Sequence, residues 1–319
     1  MLNKNVSSIT TSVIAAWFIV ICAASSHAAT FHVSVDGQDT RDRDGQSWET
    51  AWASLAYACE RVEEGPHQIR LGAGDFTATR TAYPKNGVVI TGAGHTGAQA
   101  TRIIAAADWP LSANPRDVDP TSEYLIALNK REEVTVKNLV LASDTAHRIA
   151  GGLTCKGSKQ VTVESARIEE FRWAGLNFES SREVRVTHCI IKNASTEKYG
   201  YHNGLIKTRW VKESEFAHNR ILSTEGGGYG YKGGGHENVR IHHNVFDVAG
   251  GFSLESAHEN EYGVEIDHNY ATGCISIPKG GQGADPNSRG YSYSFWVHHN
   301  ILRDSYTIEG PRNHLVLSH

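Results

Sequence analysis

One part of the chain gathers residues that could move protons. Lys207, Arg209, Lys232 and His258 fall close together, with Tyr229, Tyr231 and His236 among them. Cations of this kind can neutralise a substrate carboxylate and so acidify the C–H bond beside it. A lysine crowded by other cations gives up its own proton more easily, and can then act as the base. A tyrosine or histidine nearby can assist the departing oxygen. Lys207, Arg209, Lys232 and His258 are therefore the candidate catalytic set. Glu179, Tyr229, Tyr231, His236, Lys279 and Arg289 are candidate substrate contacts. Glu225, Glu255 and Glu259 offer oxygen ligands for a Ca2+ ion bridging to substrate, although their spacing matches no metal signature. Any one of these charges alone is more simply read as a solvated surface group. The grouping of Lys207, Arg209 and Lys232 with Glu255 and His258 outweighs any single member.

What must position them is a repeat. The stretch from Thr224 to Asn269 contains one phrase twice: GYGYK, loop, VRIHHN, then GFSLE, loop, VEIDHN. The wider phrase V-x-V/I-x-x-x recurs from Val134 onward, its sixth position being Leu139, Ala166, Cys189, Asn219, Asn244, Asn269 and Asn300. The intervals are 27, 23, 30, 25, 25 and 31 residues, as expected when strands stay in register and insertions fall in loops. Short strands of period two have no partner within one turn, so the turns must stack. The sequence therefore predicts an all-β, parallel β-helix. Val239, Ile241 and Phe246 should lie beneath Val264, Ile266 and Ala271, and the asparagines should form a ladder. The histidines at the fifth position (His188, His218, His243, His268, His299 and His319) read as a turn-side structural ladder. A preceding strand in each coil (GLTCK, GLNFE, GLIK, GYGYK, GFSLE) predicts one exposed column. It comprises Lys156, Glu179, Lys207, Lys232, Glu255, Pro278 or Lys279, and Glu309, with a one-residue shift at Lys207.

Before the repeat, Val13 to Ala24 is an apolar run of signal-peptide length, with small residues at Ser26-His27-Ala28. Residues 1–28 read as a signal peptide, giving a secreted or periplasmic chain with no membrane span after cleavage, and residues 29–319 as the β-helix domain. The phrase restarts at Leu315–His319, so the domain is expected to be truncated at its C-terminus. Short strands are expected at Thr30–Val35, His67–Leu71, Gly87–Thr91 and Thr101–Ala105. Trp48, Trp52, Leu55, Cys59 and Val62 have helical spacing; a helix opening at Thr50 or Ser54 is expected to cap the N-terminal end of the solenoid, covering its bare core and strand edges. A net charge of −4 argues against a nucleic-acid footprint. Cys59, Cys155, Cys189 and Cys274 fall in unrelated positions and should be buried free thiols. The glycine-rich run at Gly226–Gly235 lacks the context of a phosphate loop.

The mature chain resembles the pectin-lyase-like superfamily of right-handed parallel β-helices, and the resemblance implies the right-handed turn. The residues that carry the resemblance are VSVDGQD…DGQSWETAWASLAYA, GVVITGAG…TRI and the V-x-I-x-H-N series. The resemblance implies a polysaccharide partner lying along one sheet face, and an enzyme of the polysaccharide lyase or glycoside hydrolase kind. A lyase acting on an acidic, uronic-acid-containing glycan suits the cationic cluster. A two-carboxylate hydrolase is not favoured by the spacing of Glu179 and Glu255. A glycoside hydrolase pairing Glu255 with Glu225 or Glu259, a uronan C5-epimerase and a non-catalytic carbohydrate-binding solenoid stay open as alternatives. The expected state is a monomer.

Overall fold

The computed structural model describes residues 28–113, 123–195, 204–225, 229–249, 251–254, 261–273, 275–277, 292–303, 306–308 and 312–318. The proposed signal segment lies outside them, apart from Ala28. The strands build three parallel sheets of eleven, nine and eight strands, here called A, B and C. Successive coils contribute neighbouring strands, so each strand pairs with its counterparts one coil before and one coil after. The expected columns are present: Val239 pairs with Val264 and Ile241 with Ile266 in sheet A, and Phe246 with Ala271 in sheet B. Inward residues from all three sheets merge into one apolar core along the axis.

The corners have a chemical logic. A coil must turn sharply between sheets A and B, and it does so through one left-handed residue. Asn138, Ser165, His188, His218, His243, His268 and His299 all occupy this place, with φ between 49° and 57°. Asparagine and histidine tolerate that conformation better than most residues. The following position points inward. In the first coils it holds Leu139, Ala166 and Cys189, all buried. From Asn219 onward the amides form a ladder. Asn219 Nδ2 donates to Asn244 Oδ1 at 3.0 Å, Asn244 Nδ2 to Asn269 Oδ1 at 3.0 Å, and Asn269 Nδ2 to Asn300 Oδ1 at 3.0 Å. Each acceptor oxygen also takes the backbone N–H of the asparagine one coil earlier. The second amide hydrogen reaches an interior carbonyl. The corner is thus hydrogen-bonded without water.

The helix is Leu55–Arg61, with Leu55, Ala56, Ala58 and Cys59 buried. Ser54 is its N-cap, its hydroxyl accepting the Tyr57 N–H at 3.2 Å. The helix is shorter than the apolar spacing suggested, because Trp48 and Trp52 stand outside it. Trp52 instead bridges to Val33 as strand, stacks on Phe31 and donates its indole N–H to the Arg43 carbonyl. Edge pairing won over helical periodicity there. The early strands form at Thr30–Val33, Gln68–Leu71, Val89–Thr91 and Thr101–Ala105. Cys59, Cys155 and Cys189 are free and buried; burial pushes all three thiols up, Cys189 to about 12. Cys274 lies outside the described residues. Among the described residues no helix is long and apolar enough to cross a membrane.

Candidate functional site

Sheet C carries the candidate residues, and its register revises the expected column. Lys207 pairs with Lys232 on the next strand, and Asn177 and Thr154 precede them in the same row. Lys156 and Glu179 belong to a different row, two residues further along the strand, which continues to Arg209. The reason is strand length: the strand holding Lys207 runs Gly204–Arg209, so its second charge, not its first, continues the Glu179 row. Both rows face outward, because the alternating Leu176, Phe178 and Ile206 are core residues.

The Lys207 ammonium lies 4.3 Å from the centre of the Trp173 ring, and that of Lys232 lies 4.6 Å from the Tyr229 ring. The Arg209 guanidinium sits 4.0 Å above Trp210. Such contacts orient a cation and contribute roughly 0.5–2 kcal/mol each, most where water is excluded. Lys232 was expected to be exposed but is only 5% accessible; Lys207 is half-buried and Arg209 exposed. Glu179 faces Lys156 at 3.4 Å. Sequence reasoning missed Trp173, which precedes the strand Leu176–Glu179 and comes under Lys207 only through the coil register.

Three assignments need correction. Tyr231 and His236 were expected in flanking loops, within reach of a substrate. Both are 0% exposed and sit in the interior. Tyr231 is an inward residue of its strand, stacked on Phe252, and burial pushes its phenol well above the usual range. His236 follows the strand end at the corner of sheets C and A. Its Nδ1 is 2.8 Å from Glu261 Oε2, and its Nε2 is 2.9 Å from Thr208 Oγ1. Glu261 also accepts the backbone N–H groups of Gly235 and His236. A side chain at Gly233 would place Cβ 2.3 Å from Thr208 Oγ1 and 2.5 Å from the His236 ring, so this network requires glycine there. Glu225, offered as a Ca2+ ligand, is instead bound by Arg148, at 2.5 and 2.7 Å to its two oxygens. Arg148 also holds Glu170. The guanidinium keeps the Glu225 carboxyl below the usual carboxylate range. Glu255, His258, Glu259, Lys279 and Arg289 lie outside the described residues.

Sheet A has its own outward feature. The corner histidines stack coil on coil, with ring centres 5.1, 5.0, 4.9 and 5.0 Å apart from His188 to His299. The expected ladder is therefore present from His188 to His299, and His319 lies outside the described residues. A groove of about 560 Å³ runs beside it, lined by Thr162, Arg185, His188, Glu215 and His218 among others.

The family model described as "Right handed beta helix region" matches residues 124–300, more than half of the chain. The chain belongs to the right-handed β-helix family. The repeat expected from the V-x-I-x-H-N series and the handedness implied by the resemblance agree with that membership. Solved structures of other β-helix proteins share the path. XylC, solved with xylose, superposes with a TM-score of 0.52 at 10% identity, over 89% of this chain and 69% of that one. A glycoside hydrolase gives 0.50 at 10% identity, over 91% and 97%. The Dettilon tailspike protein gives 0.53 at 9% identity, over 77% of this chain and 45% of the tailspike. At such identity the likeness is one of fold. No curated protein matches the chain in sequence.

Proposed function

We propose that this right-handed β-helix is a carbohydrate-active enzyme, a polysaccharide lyase that cleaves an acidic, uronic-acid-containing glycan by β-elimination along the outer face of sheet C. The observation that carries this reading is the Lys207–Lys232 pair. Two lysines directly across adjacent strands concentrate positive charge on this face. A uronate carboxylate can bind beside them, and each lysine already rests on an aromatic face. One lysine and Arg209 hold the uronate carboxylate. The other lysine takes the C5 proton. The electron pair left on C5 becomes a new carbon–carbon double bond as the adjacent glycosidic oxygen leaves and is protonated. The names of XylC with xylose and of the glycoside hydrolase support a sugar substrate in general. A hydrolase needs two carboxylates about 5–9.5 Å apart. In the two outward rows of sheet C, Glu179 is the one carboxylate among the described residues. In the same reading, residues 1–28 direct secretion and the helix Leu55–Arg61 covers the first coils.

The test is incubation with alginates, pectins and glycosaminoglycans while following the ultraviolet absorbance of an unsaturated product. Activity should appear on an acidic glycan, and Lys232→Ala should lower it by about 10²–10⁴-fold. New reducing ends without unsaturation would select a hydrolase instead. Inverted C5 without cleavage would select an epimerase. Binding without turnover, unchanged in Lys232→Ala, would select a non-catalytic solenoid.

A further inference from the structure

The corner between sheets A and B carries a second group of ligand-bearing side chains, remote in kind from the lysine rows of sheet C. In the row beside the histidine ladder, Ala217, His242, Asp267 and His298 follow one another coil by coil. From His242 onward the row and the ladder place two ligand atoms face to face in each coil. His242 Nδ1 is 2.8 Å from His243 Nδ1, Asp267 Oδ2 is 2.7 Å from His268 Nδ1, and His298 Nδ1 is 2.7 Å from His299 Nδ1.

We propose that His218, His242 and His243 form a binding site for a divalent first-row transition ion of the Zn2+, Ni2+ or Cu2+ class. Three observations carry it. The ligand nitrogens of these three residues lie within 4.8 Å of one another. A tetrahedral ion with bonds of about 2.0–2.1 Å holds its ligand atoms about 3.3 Å apart. His218 and His243 are exposed, so their rings can turn, opening the 2.8 Å contact between His242 and His243 and bringing His218 towards the ion.

The second observation is the orientation of His242. Its Nε2 lies 3.0 Å from Glu215 Oε1. Donation of that N–H to the carboxylate leaves Nδ1 as a lone pair, aimed at His243. A carboxylate behind an imidazole is the usual support of a metal-binding histidine, fixing its tautomer and raising its basicity. Glu215 is itself held by Arg185 at 3.0 Å. The third observation is repetition. His298 has the same arrangement, with Nε2 3.0 Å from Glu265 and Nδ1 on His299. In the coil between, Asp267 takes the place of the histidine, and Arg240 binds its carboxylate at 2.9 and 2.8 Å. Among the described residues three clusters bring three ligand side chains together, His218–His242–His243, His243–Asp267–His268 and Glu265–Asp267–His298, and the first is the one built from nitrogen alone. All-nitrogen donor sets suit Zn2+, Ni2+ and Cu2+, whereas Ca2+ and Mg2+ require oxygen. The groove that His218 and Glu215 help to line leaves a direction open for a further ligand on the ion.

The full chain, prepared without a histidine tag, should bind about one Zn2+ per molecule more tightly than any other stoichiometric site, by calorimetric titration, and should not bind Ca2+ or Mg2+ there. Co2+ in place of Zn2+ should give the visible absorption of a nitrogen-ligated, non-octahedral ion. His243→Ala removes an exposed ring and should weaken binding at least about tenfold; Glu215→Gln, which touches no metal, should weaken it by about 10–100-fold. His188→Ala, a ladder member outside the group, should leave affinity unchanged. Should His242→Ala fail to fold, His243→Ala and Glu215→Gln still decide the matter. The absence of Zn2+ binding, binding equal to that of Ca2+, an unchanged Co2+ spectrum in His243→Ala, or an octahedral aqua-ion spectrum in the wild type would each overturn the site. These outcomes are independent of sheet C and of whether any glycan is cleaved.

Discussion

Glu261 is fully buried and accepts three N–H groups, two from the backbone of Gly235 and His236 and one from the His236 ring. Removing it strands those donors in the core, and loss of one partner of a buried pair typically costs about 3–5 kcal/mol. Glu261→Ala should lower unfolding stability by that amount in urea titration, while Glu261→Gln, which keeps an acceptor, should cost less. Glu225 has a different dependence. Its pairing with Arg148 depresses its folded pKa below the ordinary value of 4.5. A depressed carboxylate contributes stability that is fully present above the unfolded value and lost as pH falls through the folded one. The stability gap between wild type and Glu225→Gln should therefore be constant near neutrality and shrink below about pH 4.5, measured as urea midpoints across that range. Residue identity was a poor guide to burial here. Lys207, Lys232 and Arg209 were legible as a cationic group, but Tyr231 and His236 were misplaced, because a short glycine-flanked strand does not reveal where its corner falls. Trp173 meets Lys207 through a register that no local motif encodes, whereas Tyr229 meets Lys232 on the same strand.

At the level of the coil, the Asn ladder and the His corner divide the work. Asn244 accepts from the Asn219 N–H and side chain and donates to Asn269 and the Phe216 carbonyl. Asn244→Ala leaves buried backbone groups unpaired, at about 1–3 kcal/mol for each. It should destabilise the chain well beyond Cys189→Ala at the corresponding position of an earlier coil, in paired thermal melts. The ladder was readable because one residue type recurs at one phrase position; columns of like residues follow from stacked coils. The helix was only partly readable. The Trp48–Val62 spacing does mark an apolar face, yet Ser54 sets the start, and Trp52 pairs with Val33 as strand. The strand partner of Trp52 is Val33, remote in sequence, so periodicity alone could not place the boundary.

Over the whole molecule, contacts run between neighbouring coils, and stability is close to a sum of coil terms and interface terms. Fold class was the most legible property, because a repeated phrase reports the architecture directly. Chemistry was the least legible, because in a solenoid the loops and the outward rows can change while the inward columns stay constant. One coil spans 25 residues from Asn219 to Asn244, and Val245 takes in sheet B the place next to Arg220. Excising Arg220–Asn244 would therefore join Asn219 to Val245 with every inward column still aligned. The shortened chain should keep its β-type circular dichroism and one major melting transition, whereas removal of a single residue fewer should not. That excision would also take away Lys232 and His242 together. The molecule thus has a reading frame in space. Its gene can grow or shrink by whole coils without rewriting the fold, and lineages of such proteins can gain and lose active surfaces by unequal recombination, one rung at a time.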